Sequence, residues 1–195
     1  MERLTIETPA NLFGELVGEA AARQDEQPST ESTAYLVQLL ASFVAPSEMH
    51  RRTETDSEAP VAEILAAALE IHGMRRFALL KLAGDLSLFI SGVLPDSLER
   101  RAVGFDYYQQ IGGLAYGTAA SDSHSPEVAE LFQGLAAHFA LMVDVLNAVS
   151  ERCALSEHPD LLGFHRRWIE IQSLRSARYL RQAGVAFEGF RPTTH

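Results

Sequence analysis

The sequence predicts an all-α protein: a single-domain helical bundle of about six or seven helices around a buried central helix, residues 75–94. Three observations predict it. The run RRFALLKLAGDLSLFISGVL is apolar on almost every face. The stretch FDYYQQIGGLAYGTAA, residues 105–120, keeps a helical period although it carries three glycines. After Pro126 the apolar residues step by four and three over six intervals, the spacing of a bundle seam.

The central run has no proline until Pro95, and its apolar residues do not alternate with period two, so a half-exposed strand is excluded. A helix apolar all round is interior or spans a membrane. Lys81 and Asp85 leave only residues 86–94 uninterrupted, too short to cross a bilayer. No signal peptide or membrane span is read at the N-terminus, and the expected location is the cytoplasm.

The 195 residues suffice for one domain with a real core. A composition 47% hydrophobic and 22% charged argues against disorder. The net charge of −10 excludes a general nucleic-acid binder, which needs a basic footprint. The charge is uneven: residues 1–58 carry −7, residues 59–164 carry −7 and residues 165–195 carry +4. The basic end suits an acidic surface, its own or a partner's. Cys153 is the single cysteine, so no intrachain disulfide and no cysteine-rich metal site is expected.

Within the N-terminal segment 1–28, residues 9–23 suit a short helix with Leu12, Phe13, Leu16 and Val17 on one face. The bundle domain is expected over 29–185 and a C-terminal tail over 186–195. Ser29 or Thr30 can cap a helix from Glu31 to Val44, which Ala45-Pro46 ends. Residues 47–57 read as a polar loop. Pro60 suits the first turn of a helix to Ile71, broken at His72-Gly73. Asp96 can cap a short turn over 97–102. Ser125-Pro126-Glu127 reads as a helix start, and one continuous helix to about Ser150 is expected. Its seam is Val128, Phe132, Leu135, Phe139, Met142, Leu146 and Val149, with His138 beside it as a hydrogen-bonded core residue. A last helix is expected over 160–183, with Leu161, Phe164, Trp168, Ile171, Leu174, Ala177 and Leu180 inward and arginines around the rest.

Asp85 is the residue that asks for an explanation. An isolated carboxylate in an apolar interior costs several kcal/mol, so it needs partners or a proton. Either it is structural, held by neighbouring donors, or it faces a ligand. Tyr107, Tyr108 and Tyr116 are the expected donors, with Ser87 and Ser91 completing a polar knot. Gly84, Ser87 and Ser91 step by three and four and form a ridge that another backbone or a flat ligand can approach. Gly92, Gly112, Gly113 and Gly117 are the further close-packing glycines. Gly113 and Gly117, four apart, are expected to cross that ridge.

No Glu-x-x-His, HExxH, CxxC, phosphate-loop or GxSxG pattern occurs, so no catalytic residue, metal or cofactor is assigned. A histidine site from His72, His138 and His165 is the remaining metal option. Gly84-Asp85-Leu86-Ser87 resembles the start of the GDLSGG segment in the distal helix of haem oxygenases, which implies a flat ligand beside the helix. Leu88 and Phe89 replace the following glycines, and no upstream histidine matches the proximal ligand. The wider pattern, GDLSLFISG with DYYQQIGGLAYG, resembles a group of uncharacterised bacterial all-helical proteins. That resemblance implies a shared fold and carries over no activity. The expected function is a non-enzymatic interaction or regulatory module that self-associates or binds a protein partner, with no nucleic acid or membrane involved. The alternative is a small-molecule binder, haem-like, with a pocket between helices 75–94 and 105–120.

Overall fold

The computed structural model describes residues 9–44, 61–93 and 105–155. The readings for the loop 47–57, the turn 97–102, the helix 160–183, His165 and the tail 186–195 lie outside them. Seven α-helices and no strand are found among the described residues: α1 Pro9–Ala22, α2 Thr30–Val44, α3 Val61–Glu70, α4 Met74–Val93, α5 Phe105–Asp122, α6 Pro126–Ala137 and α7 Phe139–Leu155.

Helix α4 is the axis of the packing. It lies against α3, α5 and α7 and touches α2, and α5 in turn packs on α6. Its first turn is exposed at Met74 and Arg75, while residues 83–93 are buried with Ile90 alone half-buried. Being apolar on every face is therefore a property of its second half, where helices stand on several sides. Phe89 stacks on Phe43 of α2, with ring centroids 4.0 Å apart.

Local chemistry fixes the helix ends. The Ser32 amide donates to the Ser29 hydroxyl at 3.1 Å, which caps α2. Gly73 joins α3 to α4 at φ +74°, a conformation only glycine adopts without strain. Ser125 caps α6: it is extended, and the Val128 amide donates to its hydroxyl at 3.3 Å. That hydroxyl donates to Glu127, whose pKa is lowered by the bond.

α1 packs on α2 and α7 and sends Phe13, Leu16 and Val17 into the same core. One expectation is corrected: the helix after Pro126 is not continuous, because α6 and α7 meet at His138 with a bend of 77°. The 4-3 seam survives the bend: Phe132, Leu135, Phe139, Met142, Leu146 and Val149 are all buried. They fill this chain's own core, so the seam presents no face to a partner here. No single helix among the described residues is long and apolar enough to cross a membrane.

Candidate functional site

The polar centre of the molecule lies where α2, α4 and α5 meet. Asp85 is 1% exposed. The Tyr35 hydroxyl donates to its Oδ1 at 2.5 Å, and the Tyr116 hydroxyl donates to the same oxygen at 3.0 Å. The Lys81 ammonium, one helical turn earlier, donates to Oδ2 at 2.6 Å and sits 4.9 Å from the centre of the Tyr35 ring. One carboxylate thus accepts from two phenols and one cation, which is how a charge is carried inside an apolar core. Lys81 itself is only part-buried, at 35% side-chain exposure, so the cation keeps contact with water.

Aromatic rings wall this centre. Tyr35 stands edge-on to Tyr116 at 6.2 Å and to Phe132 at 5.7 Å, and Tyr116 lies 5.5 Å from Phe132 and 6.3 Å from Phe139. Tyr116 is fully buried, and burial followed by the negative charge of Asp85 pushes its phenol well above the usual value.

The register of α4 against α5 explains how the phenol arrives. The helices run antiparallel, with Arg76 paired to Asp122 at 2.5 Å, Gly84 facing the Tyr116 ring, and Ser87 facing Gly112. A methyl group on Gly84 would overlap that ring. The missing side chain at 84 is what lets Tyr116 lie across α4 and place its oxygen on Asp85 next door. Gly112 plays the matching part on α5. A Cβ there would fall 2.9 Å from Ser87 Cβ and inside contact distance of the Phe139 ring. Gly92 is filled by Leu146, whose Cβ would stand 2.5 Å from an added one.

Other expected members lie elsewhere. Tyr107 and Tyr108, two turns up α5, pack edge-to-face at 5.1 Å, and neither hydrogen-bonds to Asp85. Ser91 donates to the Ser87 carbonyl at 2.8 Å, along its own helix, and the buried Ser87 hydroxyl has no partner among the described residues. Gly113 and Gly117 do not cross the α4 ridge. They face Ala136 of α6, where a Cβ would meet its carbonyl oxygen or its methyl at 3.8 Å. Adjacent residues on a helix point 100° apart, and it is Gly112 that takes the α4 side.

Tyr35 and Lys81 are the two partners that sequence reasoning missed. Lys81 carried a signal, since it precedes Asp85 by four residues. Tyr35 lies on the stripe of Leu39 and Phe43, but nothing local ties α2 to Asp85.

No group of His, Cys, Asp and Glu suited to a metal ion exists among the described residues, and His72 and His138 are both exposed. His138 is therefore not a core residue. Its Nδ1 lies 3.1 Å from the Gly134 carbonyl and its Nε2 lies 3.4 Å from Glu26. Beside it, between α5 and the bend, opens a cleft of about 550 Å³. Asp106, Gln109, Gln110 and Gly113 form one wall, and residues 136–141 with Glu26 form the other. Cys153 is buried, and burial raises its thiol to about 11.

What fold and site define is an all-helical protein organised around a sealed carboxylate. No protein-family model, no curated protein and no solved structure matches the chain.

Proposed function

We propose that this chain is a helical interaction module without catalytic activity, one that self-associates or binds a protein partner, self-association being the simpler form. One observation carries the reading: the interior polar groups are enclosed while large apolar side chains remain outside. Asp85 is occupied on both oxygens and offers no group to a substrate. Leu69 and Met74 flank the α3–α4 turn at 47% and 91% exposure, with Ile71 half-buried between them. Apolar side chains gathered at one turn are suited to burial by a partner. The charge distribution adds to this, because the +4 of residues 165–195 in one copy attracts the acidic remainder of another. The resemblance to bacterial all-helical proteins is compatible with the reading and assigns nothing further.

Among the described residues, the space between α4 and α5 beside Asp85 holds the Tyr116 and Phe139 rings, which favours the interaction reading over a flat ligand there.

Light scattering with native mass spectrometry on the full chain tests the reading. The expected result is a dimer mass with no added small molecule. Leu69→Asp with Met74→Asp should then weaken assembly and leave the melting temperature nearly unchanged, since both side chains are exposed. A monomer at every concentration would remove self-association, and a bound small molecule would return the ligand alternative.

A further inference from the structure

The apolar seam of α6 and α7 keeps its 4-3 spacing through His138 as though the bend were absent. Val128, Phe132 and Leu135 lie before it, and Phe139, Met142, Leu146 and Val149 after it. The hydrogen-bond ladder is also intact at both sides. The His138 amide donates to the Gly134 carbonyl at 3.0 Å, and the Met142 amide donates to the His138 carbonyl at 3.0 Å, both helical i to i−4 pairs. The 77° bend falls between these two rungs. The local feature at the bend is a shared acceptor: the Gly134 carbonyl, one turn earlier, has both the His138 amide and the His138 ring Nδ1 within hydrogen-bond reach. No proline stands in 127–155, and His138 sits at φ −112° and ψ 32°, free of left-handed strain. The open cleft adjoins the bend, and the links from His138 to Gly134 and Glu26 are exposed to water.

We propose that His138 is a hinge about which two copies exchange α7, with α6 and α7 straightening into one helix in the exchanged dimer. The inference rests on the self-association reading and adds, to the contact at the α3–α4 turn, a second one made by α7. After exchange, α7 of each copy would pack on α4 and α1 of the other. Leu146 would again fill the gap at Gly92, the Ser150 hydroxyl would again donate to the Val93 carbonyl, and Arg152 would again pair with Glu19. These three contacts are kept, now between chains, and each straightened helix can close its hydrogen-bond ladder across the former bend. The partner is a second copy because only this chain offers the same seat to α7.

The test uses the exposed pair that ties α7 to α1. The full chain with Glu19→Cys and Arg152→Cys is concentrated, its monomer and dimer fractions are separated, and each is treated with a short bismaleimide. The unmodified chain, whose only thiol is the buried Cys153, serves as the control. On a denaturing gel the dimer fraction should give a covalent dimer and the monomer fraction an internally linked monomer. His138→Ala, a stronger helix former without the ring contacts, should raise the dimer-to-monomer ratio severalfold. A dimer that yields only internally linked chains overturns the exchange and leaves self-association standing. An unchanged ratio in His138→Ala overturns the hinge. A monomer at every concentration overturns both readings.

Discussion

Helix α5 has two working faces built from the same kind of residue. Toward α4, Gly112 meets Ser87 and the Phe139 ring, and Tyr116 lies over Gly84, with no room for a methyl at either glycine. Toward α6, Gly113 and Gly117 look onto Ala136 across ordinary contact distance, and Gly113 also lines the open cleft at the bend. The glycines are one and five residues apart, yet one set is required by packing and the other is not. What separates them is the opposite wall: a ring or a β-carbon fixed in the core on one side, a small side chain beside open space on the other. The first face holds the buried charge in a fixed setting. The second adjoins the one place where a helix predicted to be straight is bent.

The largest test of the contrast removes the charge. Asp85→Ala leaves the Tyr35 and Tyr116 hydroxyls without their acceptor and should cost about 3–5 kcal/mol, toward the lower end because Lys81 can turn to water. Asp85→Asn keeps an acceptor for the phenols and should cost about 2 kcal/mol. Urea unfolding followed by circular dichroism measures both. If either variant kept its full stability, the carboxylate would not be holding α2, α4 and α5 together.

The next test adds a methyl on the closed face. Gly112→Ala should destabilise by about 1–3 kcal/mol, the usual result of overfilling a packed interior. The ring of Phe139 and the Ser87 β-carbon belong to buried residues and have little freedom to withdraw. Wild-type stability for this variant would show that the crossing has slack, and the contrast between the faces would fail.

A third test reads the same face by pH. The Tyr116 phenol titrates above its unfolded value of about 10, so above that pH the unfolded chain releases a proton that the folded chain keeps. Stability from this group is complete below pH 10 and falls as pH rises beyond it, by about 1.4 kcal/mol per pH unit until the folded phenol also ionises. Tyr116→Phe should be less stable at pH 8 and should lose less between pH 10 and 11 than the parent. Parallel losses in the two proteins would mean that the alkaline slope comes from other groups.

Much of the closed face was readable from residues 75–122, and the reason is local. Helical period, glycine spacing and the cost of a buried carboxylate all act within one or two neighbouring segments, so Asp85, Tyr116 and the α4–α5 crossing follow from them. Period also places glycines on faces, but it does not say which neighbour each face meets, so Gly112 and Gly113 could be exchanged. Tyr35 reaches Asp85 from 50 residues away, through a packing of α2 that no local pattern encodes. Lys81 was legible by its spacing from Asp85, and counting it only as a break in an apolar run conceals the pair. The apolar seam reads straight through the bend, and only Gly134 and His138, one turn apart, mark it locally. α6 covers α5 while α7 covers α4, so the angle is also a property of the assembled core.

The smallest expected effect lies on the open face and has the opposite sign. Gly117→Ala adds a methyl that would stand 3.8 Å from Ala136 Cβ, an ordinary contact, at a helix-interior position. Alanine there reduces the backbone entropy lost on folding, a gain of about 0.5–1 kcal/mol over glycine. In a chain of this length that corresponds to about 2–4 °C for a full kcal/mol. A raised melting temperature in Gly117→Ala beside a lowered one in Gly112→Ala would separate the two faces with a single methyl group. A fall in Gly117→Ala would instead mean that α5 and α6 approach more closely than 3.8 Å allows, and Gly117 would join Gly112 among the glycines that packing requires.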